Sequence, residues 1–130
     1  ERTGEVSDAV RAAAGRHRGF RAAFSEIGGF PNLRRPRVLW IGVGDGAEQM
    51  AALAGDVERE LAVIGFEPEG RPFHGHLTLA RFPRPRVIDV PDVSAPTATF
   101  DVDDVVLFQS QLHPKGARYK ELERFPLSSK

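Results

Sequence analysis

Cysteine is absent from all 130 residues, so the chain has no disulfide framework, no thiolate nucleophile and no cysteine-based metal site. That usage suits a reducing compartment, and a cytoplasmic location is the expectation. Net charge is missing too, because 18 basic and 18 acidic side chains cancel. A long nucleic-acid duplex is therefore not the expected partner, since it calls for a broadly cationic surface. No apolar run approaches the length that spans a bilayer, and the first residues lack the apolar stretch of a secretion signal, so no membrane partner is expected. Low-complexity tracts, coiled-coil heptads and solenoid periods are absent as well.

What is present describes an ordinary soluble domain. Hydrophobic residues make up 41% and charged residues 28% of a chain long enough to bury a substantial core. The charges are unevenly placed. Arg34, Arg35 and Arg37 precede an apolar segment, and Arg71, Arg81, Arg84 and Arg86 surround a histidine-rich run. Acid concentrates later, at Asp89, Asp92, Asp101, Asp103 and Asp104. A neutral protein with a locally cationic site fits a small phosphate ligand or a short RNA end.

The alanine-rich stretch from Val6 to His17 predicts a helix that Ser7 or Asp8 caps and Gly19 ends. Phe20 to Ile27 alternates as a strand, and Gly28 to Asn32 reads as a loop. Val38 to Val43 is a compact apolar strand, buried on both faces. Met50, Leu53, Ala54, Val57, Leu61 and Ile64 recur at helical spacing and predict a core-facing helix with Gly65 as its C-cap. A strand follows near residue 76, then an irregular connection through Pro83, Pro85 and Pro91. Thr97–Phe100, Val105–Ser110 and Ala117–Phe125 read as further strands, with a turn at His113–Gly116. The element mix predicts an α+β domain with mostly antiparallel pairing.

The run Phe73-His-Gly-His-Leu-Thr-Leu-Ala-Arg81 holds the strongest chemical signal. Alternation along a strand places His76 and Thr78 on one face, with Ala80, and turns Leu77, Leu79 and Arg81 to the other. A histidine that moves a proton beside a hydroxyl that grips a phosphoryl oxygen suits a phosphate ester. Taken alone, the triplet fits a structural histidine at least as readily. Phe73 and Trp40 read as core residues that can also offer a stacking face to a base.

Competing chemistries are less well supported. Gly42-Val-Gly-Asp-Gly46 follows a strand and opens a helix, yet it lacks the full dinucleotide spacing and the Lys-Ser/Thr of a phosphate loop. His74 and His76 have the spacing to share a metal, but no third ligand is evident. Ser25, Ser94 and Ser110 lack the glycine-flanked elbow of a serine hydrolase. His17 and His113 read as solvated or capping residues.

The histidine run resembles the second signature of the two-histidine (2H) phosphoesterase superfamily, nearest to its RNA 2′,3′-cyclic phosphodiesterases, also called 2′-5′ RNA ligases (the LigT-like group). Other segments agree in order. Gly4-Glu-Val6 resembles the stretch after the family's first motif, and Phe30 to Val43 resembles its central strand and lead-in. Phe108-x-Ser110-x-Leu112, Gly116 to Tyr119 and Phe125-Pro-Leu127 resemble its C-terminal hairpin.

The resemblance implies a bilobal α+β fold with antiparallel sheets around a central cleft, helices on the outer faces, and one His-x-Thr per lobe. It implies that His76 is catalytic, usually the proton acceptor, and that Thr78 binds the phosphoryl group. Arg81, Phe73 and Trp40 are the candidate substrate-binding residues, with Arg81 pointing away unless a twist or bulge turns it. The implied reaction hydrolyses a 2′,3′-cyclic phosphate to a 2′-phosphate, reversible as ligation, with no cofactor and no metal. The implied partners are RNA ends or small cyclic nucleotides, and the expected state is a monomer.

Two departures stand out. Gly75 occupies a position where the family often has proline. The larger one concerns the first His-x-Thr, which the alignment places at or just before residue 1, where Glu1-Arg2-Thr3 does not match it. Residues 1–130 are thus expected to form one such domain without its N-terminal strand and first motif. The alternative from another class is a noncatalytic module that binds RNA ends or 2′-phosphates. A small structural domain is the third reading, and an empty, uncharged site around His76 would mark it.

Overall fold

Val6, Ala9, Val10, Ala13 and Ala14 fall on one helical face, and small side chains there let a helix approach a sheet closely. A computed structural model, which describes residues 2–71, 73–87 and 98–129, forms helix α1 over Thr3–Gly15 with that face buried. The expected cap by Ser7 or Asp8 is not made. The helix starts earlier, Arg2 occupies the cap without a side-chain bond, and Ser7 lies buried within the helix. Asp8 instead pairs with Arg11 at 3.0 Å. Glu5 in the first turn pairs with Arg2 at 3.1 Å and complements the positive end of the helix dipole, which favours the earlier start.

The remaining elements are strands β1 (Phe20–Phe30) and β2 (Val38–Val43), helix α2 (Ala47–Val63), and strands β3 (His76–Arg81), β4 (Thr99–Val102), β5 (Asp104–Gln111) and β6 (Arg118–Pro126). Gly65 follows α2 at φ +102°, the left-handed conformation expected of its C-cap. Gly116 closes the β5–β6 turn by donating its amide to the His113 carbonyl at 2.9 Å. The proline-rich connection is described as far as Val87, and its Pro91 and the start of the expected Thr97 strand lie outside the described residues. The fold is α+β, and β1–β2, β2–β3 and β5–β6 all pair antiparallel.

The chain divides into two compact units. In the first, comprising residues 1–20, 52–71 and 102–130, α1 and most of α2 accompany the β5–β6 hairpin. Val10, Ala14, Leu53, Phe125 and Leu127 form its core, with Val57, Val105 and Leu107 packed around them. Val105 pairs with Phe125 and Leu107 with Glu123, so these four share the face that meets α1. Arg11 on α1 reaches Glu123 on that face.

His17 is not the solvated residue expected from sequence. Its Nε2 lies 2.6 Å from Asp56 Oδ2, and both side chains are mostly buried. Arg59 and Arg16 also face this carboxylate. The hydrogen bond from His17, then the Arg59 guanidinium, lowers the Asp56 pKa from its ordinary 3.8 to about 2. A depressed carboxylate stabilises the fold above its unfolded pKa, and that contribution disappears as pH falls through the folded value. We therefore expect Asp56→Asn to cost about 1–2 kcal/mol at neutral pH, after allowance for solvent screening. Urea melts of both proteins should keep a constant gap above pH 5 and converge between roughly pH 4 and 2. A gap that persists at pH 2 would show that the carboxylate's charge is not its source.

Candidate functional site

The second unit, residues 21–51 and 72–101, carries a four-stranded sheet in the order β3-β2-β1-β4. The expectation that β1 stops before Gly28 is overturned, since the strand continues through Gly28 and Gly29 to Phe30. The reason lies opposite. Gly28 pairs with Trp40, and a Cβ on Gly28 would sit only 2.2 Å from the indole Cη2. The glycine that resembles a turn signal is a slot for the tryptophan ring.

Register across β2 and β3 decides which residues share a face. Gly42 pairs with His76, Trp40 with Thr78, and Val38 with Arg81, while Ile41 pairs with Leu77 and Leu39 with Ala80. The register shifts between Leu39 and Trp40, leaving Leu79 as an extra residue in β3. Gly42, Trp40 and Val38 alternate regularly on one face of β2, and directly opposed residues share a face. His76, Thr78 and Arg81 therefore all stand on that face. The ideal-strand expectation turned Arg81 away and kept Ala80 with His76; the bulge at Leu79 reverses both.

His76 is exposed and donates from Nδ1 to the His74 carbonyl at 3.0 Å. A carbonyl only accepts, so this bond puts the hydrogen on Nδ1 and leaves Nε2 of the neutral ring with a free lone pair. That is the state a general base needs. The Trp40 and His76 ring centroids lie 6.2 Å apart, so the indole borders the imidazole on the same face. Thr78 is half-buried beside them, a hydroxyl able to donate to a phosphoryl oxygen. Arg81 is exposed and makes no ion pair among the described residues.

Two further residues stand on this face, Ser25, weighed from sequence only as a hydrolase nucleophile, and Phe30, which the sequence did not offer as a site residue. A Cβ on Gly42 would lie 3.3 Å from Ser25 Oγ and 3.4 Å from Trp40 Cζ3, which brings the Ser25 hydroxyl onto the same surface. Phe30 pairs with Val38 there and is 61% exposed. Both depend on a second bulge, between Phe24 and Ile27, that no local sequence signal announces.

The remaining candidates fall elsewhere. Phe73 is exposed and precedes β3, so strand alternation assigns it to neither face. His74 also precedes the strand and contributes its carbonyl to His76; among the described residues no group of three or more His, Cys, Asp or Glu side chains is placed to hold a metal. Gly75 has a local reason, because a Cβ there would lie 2.4 Å from Met50 Sδ. Among the described residues, no helix is long and apolar enough to cross a membrane.

Comparison with known proteins bears on the family and the fold. A family described as the 2′-5′ RNA ligase superfamily matches residues 1–114. An RNA 2′,3′-cyclic phosphodiesterase of Aeropyrum pernix is 38% identical over 133 residues, covering 92% of this chain and 74% of the relative. A protein of the same description from Archaeoglobus fulgidus is 39% identical over 110 residues, covering 82% of this chain and 61% of its own length. A crystal structure of a Thermus thermophilus protein superposes with a TM-score of 0.81 at 30% identity, covering 97% of this chain and 70% of that one. E. coli LigT complexed with 3′-AMP gives a TM-score of 0.72 at 26% identity, covering 96% of this chain and 70% of that one.

Proposed function

The chain belongs to the 2′-5′ RNA ligase superfamily, and from that premise we propose that it hydrolyses 2′,3′-cyclic phosphate ends of RNA to 2′-phosphates, with His76 as a proton-transfer catalyst. One observation carries the reading: the hydrogen bond to His74 leaves the Nε2 lone pair of His76 free on a face shared with Thr78 and Arg81.

Attack of water on the cyclic phosphorus requires a base, and His76 Nε2 takes that proton. As the P–O3′ bond breaks, charge on the nonbridging oxygens is stabilised by the Thr78 hydroxyl and the Arg81 guanidinium, a charge-assisted donor. The departing 3′-oxygen needs a proton in turn. The resemblance assigns that donor to the histidine of a first His-x-Thr, and residues 1–130 contain only the one at His76. With an RNA 5′-hydroxyl in place of water as the nucleophile, the same groups serve 2′-5′ ligation: a P–O5′ bond forms as P–O3′ breaks.

The expected result is conversion of cytidine 2′,3′-cyclic phosphate to the 2′-monophosphate, read by phosphorus NMR. A 3′-monophosphate product would contradict the assignment of the leaving oxygen. Binding without turnover would establish the noncatalytic RNA-end module instead.

A further inference from the structure

The face that carries His76 has two ends of opposite character. Past Gly42 and Val43 it leads to Asp45 and, in the first turn of α2, Glu48, both outside the buried core. Past Arg81 and Phe30 it leads to two loops, Pro31–Arg37 between β1 and β2 and Phe82–Val87 after β3. Backbone hydrogen bonds tie these loops together: Phe82 N donates to Arg37 O at 2.7 Å and Arg86 N to Pro36 O at 3.3 Å. Pro36 beneath them is fully buried. The loops present arginines at 34, 35, 37, 84 and 86 and no carboxylate. All five are exposed and none makes an ion pair among the described residues, although Arg86 lies over the Phe82 ring at 5.9 Å.

Like charges held together, with no ion-pair partner among the described residues, favour an anionic ligand, and the spacing indicates its size. From His76 to Arg81 the strand rises about 16 Å, at roughly 3.3 Å per residue. A stacked nucleic-acid strand rises about 3.4 Å per nucleotide, so a chain anchored at His76 reaches the loops within about five nucleotides. A cyclic phosphate occupies the 3′ terminus, so everything else in the molecule extends from it in the 5′ direction. Of the two ends of the face, only the arginine end attracts those phosphates. Phe30 stands between, its exposed ring offering a stacking surface that paired bases cannot use.

We propose that the Pro31–Arg37 and Phe82–Val87 loops form a phosphate track that binds the 5′-ward nucleotides of a single-stranded RNA and makes the site select oligonucleotides over mononucleotides. The inference rests on the hydrolytic reading of His76 for its anchor point, but not on turnover. About three phosphates seated on the track give a log–log salt slope near −2, so affinity falls about twentyfold between 50 and 200 mM salt.

The test uses the variant Arg34→Ala/Arg35→Ala/Arg84→Ala, three exposed positions outside the catalytic face. Two substrates are compared, an eight-nucleotide single-stranded RNA ending in a 2′,3′-cyclic phosphate and cytidine 2′,3′-cyclic phosphate. The variant should lower kcat/KM on the oligonucleotide about ten- to hundredfold, which corresponds to three exposed charge contacts. Turnover of the mononucleotide should not change. Affinity for the same RNA ending in a 2′-phosphate, followed by fluorescence anisotropy, should fall in parallel and lose most of its salt slope.

Equal losses on both substrates would overturn the track, because they would indicate damage to the catalytic face. Unchanged RNA affinity would overturn it as well. If the native chain turns over neither substrate, the hydrolytic reading fails and anisotropy still decides the track. Binding of a blunt RNA duplex as tight as that of the single strand would overturn the single-strand preference.

Discussion

Replacing His76 by alanine should lower hydrolysis of cytidine 2′,3′-cyclic phosphate by about a thousandfold, in the range that general base catalysis supplies. That loss corresponds to about 4 kcal/mol of transition-state stabilisation. It should appear in kcat more than in KM, since the proton moves as the bond to water forms. The imidazole is exposed and, among the described residues, bonds only to a backbone carbonyl, so its removal should leave the thermal midpoint almost unchanged. A variant that melts normally and turns over normally would remove His76 from the reaction. Retained activity would direct attention to His74, whose ring lies close by in the chain.

Phe125→Ala should have the largest effect on stability. Its ring is 1% exposed at the centre of the α1–hairpin core, against Val10, Ala14, Leu53 and Leu127. Truncation of such a phenylalanine costs about 3–5 kcal/mol, the lost transfer energy plus the cavity left behind. Whole domains are stable by only about 5–15 kcal/mol, so the variant should lose a large share of its margin. Phe125→Leu, which keeps most of the volume, should cost less than about 1.5 kcal/mol. Circular-dichroism urea melts measure both. An alanine variant within about 1 kcal/mol of the native protein would mean that the hairpin repacks freely, contrary to close packing of cores.

Much of the element plan is legible because it depends on local periodicity. The stripe from Met50 to Ile64 specifies α2, and Gly65 marks its end, because both signals lie within one stretch of chain. Val38–Val43 and the strand at His76 are equally plain. Misreadings occur where a local signal has a distant cause. Gly28 suggests a turn, yet it accommodates Trp40 from the neighbouring strand. Ser7 suggests a cap, yet it is buried within α1. His17 suggests a solvated helix end, yet Asp56, far along the chain, holds its ring.

The sequence by itself determined most of the elements and the common face of His76 and Thr78, because alternation over two residues needs no partner strand. It also placed arginines in two separate segments, with nothing to relate them. Only the tertiary structure decided that Arg81 joins the face of His76 and Thr78, because a bulge is defined by the register against another strand. Only it decided which nitrogen of His76 is free, since that follows from where the His74 carbonyl points. And only it joined the two arginine segments into one surface, through hydrogen bonds between backbones far apart in the chain, as between Pro36 and Arg86.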